Sequence, residues 1–151
     1  MNDLFSGLSE IHIKYEPKVQ PINRPKIQSS QDAYQQLLQF FDQSVMNIKE
    51  EAVALFLNRS NRVLGGYKVS SGGISGTVVD IRIILAIALK SQASGIIIAH
   101  THPSGELQPS RADQELTQKL KEATKLMDIS LLDHLIITCE AFYSFADEGL
   151  I

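Results

Sequence analysis

The sequence predicts an α/β fold with a mixed sheet, on three observations. Short apolar runs rich in Val, Ile and Leu recur at strand length. Amphipathic patterns of helical period separate them. Gly, Pro, Asn and Ser gather at the junctions, where a chain must turn.

Residues 1–29 read as an extended arm ahead of a domain at 30–151. In the arm, Ile11, Ile13 and Tyr15 alternate with polar residues, a short-strand pattern, and Pro17, Pro21 and Pro25 keep the following chain out of a helix. Ser30 is a plausible N-cap for a helix to about Asp42 that buries Ala33, Leu37, Leu38 and Phe41. Glu50 to Leu57 reads as a strand. Asn58-Arg59-Ser60-Asn61 supplies turn chemistry, and Arg62 to Val69 returns as the second arm of a hairpin. The Gly- and Ser-rich stretch from Ser70 to Thr77 lacks the Gly-Lys-Ser/Thr ending of a P-loop and reads as a loop near the site that meets substrate. A helix is expected from Asp80 to Ser91, with Ile84, Leu85 and Ala88 buried. Next come a strand at Gly95–Ala99, a helix from Arg111 to about Met127, and strands at Ile129–Thr138 and Ala141–Phe145.

Composition narrows the setting. With 151 residues, 44% of them hydrophobic, the chain can bury one real core. Its only cysteine, Cys139, forbids an internal disulfide and fits a reducing cytoplasm. Lying in an apolar run, Cys139 is expected to be buried and inert. The first ten residues lack the basic start and apolar run of a signal peptide, and no apolar stretch approaches a membrane span. The net charge of −3 and scattered basic residues argue against direct nucleic-acid binding. Lys119, Lys121 and Lys125 share their helix with Glu115 and Glu122, which is a solvated face.

The chemistry centres on His100-Thr101-His102-Pro103, followed by Ser110 and Asp113. Residues i and i+2 of a strand share a face, so His100 and His102 can aim both imidazoles at one point where the strand ends. Pro103 and Gly105 break the chain into a loop, and Asp113 is close enough to fold back. Two histidines, a carboxylate and an open fourth position form a ligand set suited to a catalytic zinc. A pair of half-exposed, hydrogen-bonded histidines is the alternative. Ser110-x-x-Asp113 equally resembles a helix capping box, and a carboxylate fixed in a first turn suits a ligand too. The His-Glu-x-x-His helix and the Pro-Cys-x-x-Cys element are both absent, and one cysteine rules out a two-thiolate site within one chain. His134 reads as a satisfied interior histidine, with a fourth ligand as the alternative; Asp133 should point to the opposite face.

These residues resemble the JAMM (MPN+/JAB) metalloprotease signature. The segments EEAVALFLNRSNRVLG, GGISGTVVD, IIIAHTHPSGELQPSRAD, LLDHLIIT and YSFADEGLI resemble its RadC-like branch, from about Ser30 to the C-terminus. That resemblance implies a cytidine-deaminase-like, three-layer JAB/MPN domain and a zinc-dependent hydrolase of peptide or isopeptide bonds. It implies His100, His102 and Asp113 as Zn²⁺ ligands, Ser110 as the oxyanion stabiliser and an upstream glutamate as general base. The branch pattern counts eight residues back from Asn58 and selects Glu50. Glu51, facing the other way, is then a solvated charge. A peptide or protein substrate is implied, and no membrane. Relatives carry a DNA-repair label and often a helix-hairpin-helix domain, for which there is no room here. A DNA-associated accessory or partner-binding protein without its own hydrolysis, and a metal-free scaffold, stay open. Oligomeric state and the natural substrate are not legible.

Overall fold

The computed structural model describes residues 7–12, 14–72 and 78–151. Its elements are α1 (Ser30–Leu37), β1 (Glu51–Leu57), β2 (Val63–Ser71), α2 (Ile81–Lys90), β3 (Gly95–Thr101), α3 (Arg111–Lys125), β4 (Ser130–Ile137) and β5 (Phe142–Ser144). The strands form one mixed sheet in the order β2-β1-β3-β4-β5. Among the described residues only the β3–β4 pair is parallel, joined through α3; its neighbours are antiparallel. This is the α/β fold with a mixed, helix-flanked sheet that the sequence predicts.

Helices cover both faces. Val53, Leu55, Leu57, Ile97, Ala99, Leu135 and Ile137 pack under α1 through Ala33 and Leu37. Ala54, Phe56, Ile96 and Ile98 meet Ile84 and Ala88 of α2 and Leu120 of α3 on the other face. β1 and β3 are buried along their whole length, which is why they read as continuous apolar runs rather than alternating ones. Each fully buried aliphatic side chain contributes about 1.5–3 kcal/mol against exposure.

The sheet's topology sets the site. β1 runs antiparallel to β3, so the start of β1 lies beside the end of β3, and Ala52 pairs with His100. Helix α3 leaves the loop after β3 and returns to β4, so its first turn sits at the same end.

Several expectations are corrected. Ser29, not Ser30, caps α1: its Oγ accepts from Asp32 N, and Asp32 in turn accepts from Gln28 N. The α-helix stops at Leu37, and tighter turns follow, with Gln39 N bonded to Gln36 O and Phe40 N to Leu37 O. Phe41 is buried all the same, while Leu38 and Leu85 are half-buried. Ser70 and Ser71 finish β2 rather than starting a loop; residues 73–77 of that stretch lie outside the described residues. The described residues at 11–15 form no strand, Ile13 lying outside them; the Tyr15 hydroxyl instead donates to Leu64 O. Cys139 lies just past β4 and is exposed, its thiol donating to Asn47 Oδ1. The strand ends before it, at Ile137, so Cys139 is not carried into the core.

Candidate metal centre

His100 is the penultimate residue of β3 and His102 follows its last. Their Nε2 atoms lie 2.8 Å apart. The turn after them depends on Gly105, whose N donates to His102 O and whose φ of 82° favours glycine. Helix α3 then opens with a capping box: Ser110 Oγ accepts from Asp113 N, and Asp113 Oδ2 accepts from Ser110 N. That box fixes the Asp113 carboxylate, with Oδ1 3.1 Å from His100 Nε2 and Oδ2 3.4 Å from His102 Nε2. Glu50 precedes β1 on the His100 side of the sheet, its Oε1 3.8 Å from His100 Nε2. Donor atoms of Glu50, His100 and His102 all lie within 4.8 Å of one another.

Glu51 is not the solvated charge expected. It is 2% exposed, faces the α1 side of the sheet, and pairs with Lys68 Nζ at 2.8 Å. Thr101 holds both flanks of Glu50. Its Oγ1 accepts from Glu51 N and donates to Lys49 O.

The donor set fits a divalent cation. A carbonyl can only accept, so the 2.6 Å contact of His102 Nδ1 with Glu106 O makes His102 the donor. When neutral, His102 therefore presents a bare Nε2. Atoms sharing a tetrahedral zinc at about 2.0–2.1 Å lie ~3.3 Å apart, and the separations of 2.8, 3.1 and 3.4 Å bracket that edge. Lone pairs and a carboxylate packed this closely need a positive charge among them. A proton on His102 supplies one, and the hydrogen bond to Asp113 accordingly raises the His102 pKa against the opposing effect of burial. Burial acts to raise the Asp113 pKa, yet the His100 and His102 imidazoles packed against it outweigh that and hold the carboxyl well below its ordinary range.

The structure thus brings Glu50, His100, His102 and Asp113 together. Ser110 stands at the head of α3, exposed, with capping contacts that use its oxygen as acceptor. Three participants escape a reading of the sequence. The Glu106 carbonyl is backbone and leaves no signal. Thr101 is legible only once the two strand ends are known to meet. Thr117 had a signal, since it stands four residues after Asp113 and shares its helix face. His134 is buried between Thr117 and His100, at 2.6 and 2.7 Å. Asp133 points to the other face, where it accepts from Ser144 Oγ and Ala146 N and ties β4 to β5.

Residues 27–150 match a family model described as the RadC-like JAB domain. Among similar proteins is a UPF0758 protein of Flavobacterium johnsoniae, 46% identical over 125 residues, which cover 83% of this chain and 53% of that protein. Another, from Porphyromonas gingivalis, is 40% identical over 136 residues, 89% of this chain and 59% of its own. The Escherichia coli UPF0758 protein YfjY is 42% identical over 103 residues, 68% of this chain and 64% of its own. The chain spans little more than half the length of the first two of these relatives. Among the described residues no helix is long and apolar enough to cross a membrane.

Proposed function

This chain belongs to the RadC-like JAB domain family, and from that membership we propose that it is a zinc-dependent metallohydrolase that cleaves a peptide or isopeptide bond. The observation carrying this reading is the convergence of His100 Nε2, His102 Nε2 and the Asp113 carboxylate within 3.4 Å, with a second carboxylate, Glu50, on the same face of the sheet. His100, His102 and Asp113 would hold the ion. When bound, zinc supplies a Lewis acid that polarises a carbonyl and brings the pKa of water to about 7.

Each residue then has a task its surroundings suit. Glu50, partly exposed and free to reach solvent, takes a proton from the attacking water and gives it to the departing amine. Thr101 keeps it there by holding the backbone on both sides. Ser110 spends a lone pair on the cap, so its O–H remains to donate to the substrate's carbonyl oxygen as charge grows there. One such donor is typically worth about 10²–10³ in rate. Asp113, anchored to the head of α3, sits where the helix dipole favours its negative charge.

The substrate proposed is a peptide or protein, with no nucleic acid or membrane required. The test is hydrolysis of a mixed peptide library by the zinc-loaded protein. Cleavage that a chelator stops and added zinc restores is expected. A protein that binds zinc yet leaves every peptide intact would instead point to an accessory or partner-binding role.

A further inference from the structure

Helix α3 brings more than Asp113 to the sheet. Thr117, one turn on, is buried against His134 of β4, and His134 is in turn buried against His100. The hydrogens along this chain can be placed. The Asp113 carbonyl can only accept, so the Thr117 hydroxyl, 2.8 Å away, donates to it and has no hydrogen left. The 2.6 Å contact between Thr117 Oγ1 and His134 Nδ1 then requires His134 to donate. His134 is 1% exposed, has no carboxylate partner among the described residues, and lies stacked on Phe145 with ring centres 4.5 Å apart. A charge on so deeply buried a ring, whose two nitrogens meet only a hydroxyl and another imidazole, would be costly, so the ring is neutral and carries one proton. With that proton on Nδ1, its Nε2 is a lone pair, and the 2.7 Å contact with His100 Nδ1 requires His100 to donate.

We propose that Thr117 and His134 are positioning residues, a buried relay that fixes the tautomer of His100 with its proton on Nδ1 and its Nε2 lone pair turned to the metal centre. The relay starts on the backbone of one ligand residue, Asp113, and ends on the ring of another, so one helix turn sets both. A ligand histidine usually finds its orienting partner in a carboxylate, a backbone carbonyl or water. His102 does so through Glu106, whereas His100 relies on a second imidazole, which can itself adopt the wrong tautomer. Thr117 removes that freedom. Without its hydroxyl, His134 can turn its proton towards His100 and force the His100 proton onto Nε2, in the way of an ion.

Two readouts test the relay, and only the second rests on the zinc reading above. The first is the nitrogen NMR spectrum of the imidazoles in the metal-free protein, where only four histidines need assignment. Protons on Nδ1 of both His100 and His134 are expected. A proton on Nε2 of either overturns the relay. The second is zinc affinity, measured by competition with a chromophoric chelator. Thr117→Val keeps the shape of the side chain and should weaken zinc binding by about 10–100-fold, while Thr117→Ser keeps the hydroxyl and should restore it. A Thr117→Val protein with wild-type affinity overturns the relay. A wild type that binds no zinc overturns the metal reading instead, and the spectrum alone then decides the relay.

Discussion

Glu50→Gln is expected to keep its zinc and lose hydrolysis by about 10²–10⁴-fold, the usual worth of a positioned general base. Gln retains the shape and the hydrogen-bonding reach of Glu but cannot take a proton. The neighbouring change makes the comparison sharp. Glu51 lies on the opposite face of β1, buried against Lys68, so Glu51→Gln should keep activity within a few fold. Rates and bound zinc measured on both variants decide the matter. An inactive Glu51→Gln beside an active Glu50→Gln would reverse the assignment.

The second large effect concerns stability. The Glu51 carboxylate is almost wholly buried, its Oε2 is held by Lys68, and its Oε1 has no hydrogen-bond partner among the described residues. Lys68 is 41% exposed, so water already attends one end of this pair. Lys68→Met would leave the carboxylate buried without compensation and should cost about 3 kcal/mol, the lower end for breaking a buried pair. Glu51→Leu combined with Lys68→Met should recover most of that loss, because replacing both charges removes the desolvation penalty. Urea unfolding of the two proteins gives the answer. A Lys68→Met protein as stable as wild type would mean that the pair does not support the fold.

What the sequence made legible was local. The apolar run from Gly95 and the turn residues Pro103 and Gly105 mark β3 and its end, and strand alternation alone puts His100 and His102 side by side. The hairpin after Asn58 is written in its turn residues: Asn58 Oδ1 accepts from Ser60 N and Arg62 N, and Asn61 takes a φ of 59°. What could not be read was tertiary. Ser30 reads as the cap of α1, and only the bonds of Asp32 to Ser29 Oγ and Gln28 N show that the helix begins one residue earlier. Cys139 looks like the continuation of an apolar strand, and only the end of β4 at Ile137 exposes it. Glu51 looks like a surface charge because its partner, Lys68, lies on another strand. His134 looks like an ordinary core residue because Thr117 and His100, which give its ring a task, come from a helix and a strand that the sequence does not bring together.

His100, His102 and Asp113 are proposed to hold a zinc ion. Elemental analysis of protein purified without chelator, beside His102→Ala and Glu50→Gln, tests this most directly. About one zinc per chain is expected in wild type and Glu50→Gln, and little in His102→Ala. No zinc in any of the three, even after zinc is added at neutral pH, would contradict it.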